Sequence, residues 1–274
     1  MEWTKDIDEK YIETNGITLH TIIVGDGEPL VLLHGFPDFW YGWAKLIPLI
    51  KENFQLIIPD MRGYNLSDKP EGVENYRIEV LIEDIVGLID QLHFESVYLV
   101  GHDWGGVLSW FIAEKYPSKI RKLGIINAPH FKIFQERLKS DEAQKKASYY
   151  IYNFLKPNGE KVLIADDFKL LRAGFKGQDQ ETEEKYVKAW SNGTITCGVN
   201  FYRANLEYED WSGIIRVPTL VIHGMKDTAI LPGVLKGLDQ YVKDLKIIRP
   251  ETLGHSPMKE DPLLVADAFS EFFR

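Results

Sequence analysis

The residues Leu99-Val100-Gly101-His102-Asp103-Trp104-Gly105-Gly106-Val107 set a carboxylate at a distinctive point of the chain. An apolar run leads into Gly-x-Asp-x-Gly, and an apolar helical run follows at once. A side chain in the middle of such a strand–turn–helix is thrust out at the C-terminal edge of a sheet, where open α/β sheets place their ligands. The flanking glycines suit a turn too tight to house a Cβ. The start of the helix adds unpaired N–H groups and the positive end of a dipole. With an ordinary pKa of about 3.9, such a carboxylate is already ionised at neutral pH. It is a weak nucleophile toward amides and esters, but it can displace a good leaving group from an sp³ carbon and leave an alkyl ester on the protein.

Such a turn needs a sheet to carry it. Val, Ile and Leu concentrate in short runs at 17–24, 30–33, 54–58, 97–100 and 123–126. Their near-continuous apolar character predicts strands buried on both faces of a mostly parallel sheet. Amphipathic stretches at 41–51, 76–92 and 106–116 lie between them and predict helices, so the fold class is α/β with right-handed crossovers. The alternation stops after Ala128-Pro129. From Phe131 to about Trp211 the segments are helix-like, mixed in charge and rich in aromatics; strand character returns at 219–223 and 245–248, and 261–273 reads as a closing helix. Residues 1–128 and 213–274 are therefore expected to form one core domain, with 129–212 a helical cap inserted between two of its strands.

Composition narrows the partners. At 45% hydrophobic and 27% charged, the 274 residues suit a soluble globular protein and not a disordered one. A net charge of −9 makes a poor nucleic-acid binder. Cys197 is the single cysteine, so no internal disulfide is available. No apolar run reaches the length of a membrane span, and 1–10 lacks the apolar core of a signal peptide; the expected location is the cytoplasm. Cysteine and histidine do not cluster at metal spacing, and neither a metal nor an organic cofactor is expected.

The segment around Asp103 resembles the nucleophile elbow of the α/β-hydrolase fold, with Asp where esterases and lipases carry Ser, and the resemblance extends from the strand near Ile17 to the final helix. It implies an α/β-hydrolase fold with a helical cap. In that fold the loop His34-Gly35-Phe36-Pro37 supplies one backbone N–H of an oxyanion hole, here Phe36, and the residue after the nucleophile, Trp104, supplies the other. The chain order nucleophile, acid, histidine is matched by Asp103, Asp227 in His223-Gly224-Met225-Lys226-Asp227, and His255 in Gly254-His255-Ser256-Pro257. The resemblance makes His255 the general base and Asp227 the group that orients it. His34 and His102 are read as holding loops, Asp60-Met61-Arg62-Gly63-Tyr64 as loop architecture, and His20, His93, His130 and His223 as structural.

An aspartate nucleophile in this fold implies carbon–heteroatom chemistry, with an epoxide oxygen or a halide as leaving group. An opened epoxide is an alkoxide that needs a proton, and a tyrosine, protonated at pH 7, can give one. The segments Tyr150-Ile151-Tyr152-Asn153-Phe154 and Gly198-Val199-Asn200-Phe201-Tyr202-Arg203 resemble the two lid-tyrosine segments of epoxide hydrolases. This implies that Tyr150 and Tyr202 are the proton donors, with Tyr149 or Tyr152 open as replacements for Tyr150. Haloalkane dehalogenases hold the halide with the Trp after the nucleophile plus a second Trp or an Asn; Trp104 is present, but the loop position that can carry Asn is Phe36. Fluoroacetate dehalogenases carry Arg where this chain has Trp104. The expectation is an epoxide hydrolase acting on a small apolar epoxide and water to give a vicinal diol, with Phe36 and Trp104 against the substrate. A haloalkane or haloacid dehalogenase, and a non-catalytic small-molecule binding protein on the same fold, are the alternatives.

Overall fold

A computed structural model describes residues 2–175 and 179–274. Eight strands form one sheet: β1 (Asp8–Thr14), β2 (Ile17–Val24), β3 (Glu28–Leu33), β4 (Phe54–Pro59), β5 (Val97–His102), β6 (Ile120–Ile126), β7 (Thr219–Ile222) and β8 (Leu245–Ile248), in the order β1-β2-β4-β3-β5-β6-β7-β8. From β4 to β8 the neighbours are parallel; β1 with β2, and β2 with β4, are antiparallel. The apolar runs of the sequence are the central strands, and Leu30–Leu33, Leu56–Ile58 and Leu99–Val100 are fully buried. Strand β1 was not among the expected strands. Its sequence DEKYIET is almost wholly exposed, as suits an edge strand paired on one side only, and its charges hide the apolar signal that marks the others.

Helices α1 (Ile78–Gln91) and α2 (Trp104–Lys115) follow β4 and β5, and α9 (Pro262–Phe272) closes the chain. Between β6 and β7 lie α3 (Phe131–Ser140), α4 (Glu142–Ala147), α5 (Tyr149–Leu155), α6 (Lys161–Arg172, broken at 165–168), α7 (Gln180–Trp190) and α8 (Thr194–Asn205). Residues Trp104–Ala113 of α2 are all buried, the mark of a helix enclosed on every side. The helix expected over 41–51 is absent as such: the segment holds a 3₁₀ turn, Trp40–Trp43, and a single α-turn, Ile47–Ile50. Pro48, in the first turn of the latter, lacks the N–H that a continuous helix would use. In the loop after β4, Asp60 bonds His20 at 2.6 Å while Arg62 pairs with Asp84 at 2.7 Å.

Where β5 meets α2, the backbone runs so close to β3 that a Cβ on Gly105 would strike the carbonyl oxygens of Leu33 and His34, and one on Gly101 that of Gly105. Neither obstacle is a side chain that could swing aside. Gly105→Ala is expected to cost about 3 kcal/mol or more, at the upper end of overpacking, read as a lower urea midpoint with an unchanged slope.

Candidate active site

The parallel strands end at one edge of the sheet. Leu33 of β3 leads into His34-Gly35-Phe36, His102 of β5 into Asp103, Ile126 of β6 into Asn127, and the segments after β7 and β8 carry Asp227 and His255. Residues far apart in sequence therefore meet at one place, as the edge of an open α/β sheet dictates. Asp103 holds φ 51° and ψ −121°, a conformation that L-residues rarely adopt. It is held there by neighbours: its carbonyl accepts the N–H of Val107 at 2.9 Å, and its own N–H reaches the carbonyl of Ile126 at 3.3 Å. Gly35 is part of the same fit, because a Cβ there would collide with the Asp103 side chain.

The Asp103 carboxylate is buried, at 9% exposure. Its Oδ1 accepts the Phe36 N–H at 2.8 Å, and its Oδ2 lies 3.6 Å from Nε2 of His255. On the other side of the imidazole, Nδ1 is 2.7 Å from Oδ2 of Asp227. Asp227 is fixed by Asn127, whose side-chain amide donates to Oδ2 at 2.8 Å, and by the N–H groups of Ala229 and Ile230, which donate to Oδ1 at 2.8 and 3.0 Å. Burial alone would raise the Asp227 pKa, but the hydrogen bonds from His255, Asn127 and Ile230 outweigh it and pull it to about 2. Burial pulls His255 down, yet the two carboxylates beside it win and push it up to about 10. For Asp103 burial opposes ionisation, while His255 and the Phe36 N–H hold its pKa below the ordinary value. The resting site is thus an imidazolium shared between two carboxylates.

A small cavity opens over Asp103, lined by Trp104, Phe131, Phe134, Tyr150 and Tyr202 among others. Its free volume is ≈ 30 Å³, space for a water or two, so a larger molecule enters only as these side chains give way. The Tyr202 ring stands edge-on to Trp104 (centroids 5.0 Å apart, 89°), to Phe36 (5.9 Å, 85°) and to Tyr150 (6.3 Å, 82°). Burial raises the pKa of both tyrosines, and the Asp103 charge adds to it. Both hydroxyls therefore stay protonated at neutral pH. Of the neighbours in α5, Tyr149 is 62% and Tyr152 42% exposed, and neither is among the cavity-lining residues; residues one or two positions apart on a helix point to different faces.

All seven residues singled out from the sequence, Phe36, Asp103, Trp104, Tyr150, Tyr202, Asp227 and His255, lie in this one region. The Trp104 N–H differs from Phe36 in one respect: among the described residues only the latter bonds the Asp103 carboxylate. His34 accepts the Met61 N–H at 3.0 Å, and His102 donates to the carbonyl of His255 at 2.9 Å. Burial and the neighbouring His255 charge hold His102 near pKa 4, hence neutral. Asn127 was not singled out. Its signal was its place, an amide directly after a buried strand, with the positive φ of 41° that Asn tolerates. Trp104 is the one tryptophan among the described cavity-lining residues, and among the described residues no group of three His, Cys, Asp or Glu could hold a metal ion. No helix among the described residues is long and apolar enough to cross a membrane.

The α/β hydrolase fold family matches residues 28–262. The chain is similar to the AB hydrolase superfamily protein YfhM of Bacillus subtilis, with 36% identity covering 97% of each chain. It is 34% identical to epoxide hydrolase 4 of Mus musculus, over 85% of this chain and 69% of that protein. Crystal structures of an epoxide hydrolase from Bacillus megaterium superpose with a TM-score of 0.91 at 33% identity, covering 96% of this chain and 99% of that one. One of them holds an inhibitor, and another its product, a naphthyloxy-propane diol.

The shared imidazolium has a measurable signature. The His255 ring, followed by NMR, is expected to titrate near pH 10, and to titrate lower in Asp103→Asn, where one flanking charge is gone. Because the folded pKa lies above the ordinary 6.5, this group's contribution to stability is complete below about pH 6.5 and is lost as pH rises through about 10. A ring that titrates at the same pH in both proteins would mean that Asp103 does not act on it.

Proposed function

The chain belongs to the epoxide hydrolase family of the α/β-hydrolase fold, and from that premise we propose that it hydrolyses epoxides to vicinal diols. The observation that carries this reading is the pair Tyr150 and Tyr202, both protonated and both lining the cavity that Asp103 floors. A carboxylate below and two acids beside it suit a substrate whose carbon is attacked while its oxygen is protonated. A halide would need no proton, and the aromatic walls offer no cation to a haloacid carboxylate.

In the first step Asp103 attacks an epoxide carbon, the C–O bond breaks, and Tyr202 or Tyr150 gives its proton to the leaving oxygen. The product is an alkyl ester of Asp103, a free hydroxyl and a tyrosinate. Esterification removes one of the two charges that held the His255 pKa up. The imidazolium then yields its proton, by way of solvent, to restore the tyrosine, and becomes a neutral base. In the second step His255, oriented by Asp227, takes a proton from water as that water attacks the ester carbonyl. The oxyanion formed on the Asp103 carbonyl rests on the Phe36 N–H, with the Trp104 N–H at the helix start as second donor; such a donor is typically worth about 2.7–4 kcal/mol. Collapse breaks the bond between the Asp103 carbonyl carbon and the alkyl oxygen, the second proton of the attacking water passes to that oxygen, and the diol leaves with the ion pair of carboxylate and imidazolium restored. The inserted helices supply the acid of the first step, and the sheet edge supplies everything used in the second.

Product analysis on aryl, terminal and internal epoxides, beside a set of haloalkanes, tests the reaction class. Diol formation that disappears in Asp103→Ala is the expected outcome, whereas halide release without diol would assign the other leaving group. His255→Gln should alkylate Asp103 and stop, so intact mass is expected to rise by the mass of one epoxide; full turnover in that variant would remove His255 from the scheme. Tyr202→Phe should slow alkylation by epoxides on the order of 10²-fold, and equal slowing of any alkyl-halide reaction would contradict the donor role.

A further inference from the structure

Outside the cavity, a second cluster of polar side chains joins three separate parts of the chain. Asp38, two residues beyond Phe36, is buried at 5% exposure. Its Oδ2 pairs with Nζ of Lys259 at 2.5 Å, and its Oδ1 accepts the Tyr186 hydroxyl at 2.7 Å. Lys259 also donates to that hydroxyl at 3.0 Å, which closes a ring of three contacts. Burial opposes a charge on Asp38, but Lys259 overrides it and holds the carboxyl ionised. Tyr186 belongs to α7 of the inserted helices. The same helix makes a second bond to the same turn, from Nε1 of Trp190 to the carbonyl of Pro37 at 2.7 Å. Lys259 lies one turn beyond His255, on a segment whose backbone is bound in turn: Lys259 N–H donates to the Ser256 carbonyl, and the Glu260 carboxylate accepts the N–H groups of Gly254 and Ser256.

The three residues thus bridge the loop that presents the Phe36 N–H, the segment that presents His255, and the helical insertion. None of them lines the cavity. We propose that Asp38, Lys259 and Tyr186 are positioning residues, a clasp through which α7 holds Phe36 and His255 in register for hydrolysis of the ester. This rests on the function proposed above, because it assigns the clasp to one of the two steps. Alkylation uses Asp103 on the β5–α2 turn and tyrosines on α5 and α8, and the clasp reaches it only through the contacts of Phe36 and His255 with the resting Asp103 carboxylate. Ester hydrolysis needs the oxyanion donor and the base, and both sit on clasped segments. Of this pair only Asp38 is buried, so removing Lys259 is the costly change, since the buried carboxylate is left without its cation.

The test is the partition between the two steps in Tyr186→Phe and Lys259→Met, with Lys259→Arg as the conservative control. Rapid quench and intact-mass measurement of one turnover should show ester decay slowed about tenfold or more, the scale of one lost hydrogen bond to a charged group. Alkylation, which needs these segments only to hold the Asp103 carboxylate, should be slowed clearly less than ester decay, and Lys259→Arg should restore decay. Equal slowing of both steps, or an unchanged ratio, would overturn the proposal. A second reading needs no substrate: in the resting protein the Phe36 amide should exchange its hydrogen about tenfold faster in Tyr186→Phe, and unchanged exchange would likewise overturn the clasp. If His255→Gln traps no ester from any epoxide, the functional reading fails, while the amide exchange still decides whether the clasp holds the loop.

Discussion

A carboxylate kept ionised inside apolar surroundings is the demand that orders the rest of this molecule. Asp103 cannot carry its charge there unaided, because burial disfavours the charged form. Its compensation comes from elements distant in sequence: the Phe36 N–H from the loop after β3, and His255 from beyond β8. His255 can be a cation in the same surroundings only because Asp227 stands on its far side, and Asp227 is steadied by Asn127 and two backbone N–H groups. Each charge is tolerable because of the next. The glycines at 35, 101 and 105 are the steric side of that demand, since a side chain at any of them would push the carboxylate out of the place where its partners reach it.

How far this could be read from the residues depended on whether a feature was local. The buried strands β2 to β7 announce themselves, because a strand covered on both faces has nowhere to put polar side chains. The elbow is local as well, and glycines around a single Asp mark it. Strand β1 was invisible because its exposed residues are mostly charged or polar and give no apolar run. The expected helix over 41–51 failed because the apolar spacing there serves a 3₁₀ turn and one α-turn, interrupted at Pro48.

Side-chain direction was the harder matter. Tyr149, Tyr150 and Tyr152 are equivalent as letters, and only the orientation of α5 against the core sends one toward the cavity and two toward water. Asn127 and the contacts among Asp38, Tyr186 and Lys259 were out of reach for a different reason. They are agreements between segments at least 73 residues apart, and no short window of sequence contains both parties. The helical insertion is where such agreements concentrate, because its own pattern reports only that it is helical and aromatic, and says nothing of what its inner face meets.

The place of that insertion also bears on the order in which the molecule comes together. Strand β7 pairs with β6 in parallel, Leu123 beside Thr219, with all the inserted helices in the intervening chain. Closing so long a loop must be paid for in entropy before any contact rewards it, and pairings of high sequence separation are the slow ones. Strands β3 to β6, by contrast, are joined by shorter connections. The half of the site that carries Asp103 and Phe36 is therefore built on pairings of shorter separation than the one that joins it to the half carrying Asp227 and His255. A chain halted between the two would possess Asp103 without the imidazole that faces its carboxylate and without the second carboxylate behind that imidazole. Completion of the sheet at β7 and β8 is thus also the event that closes the network of charges around Asp103.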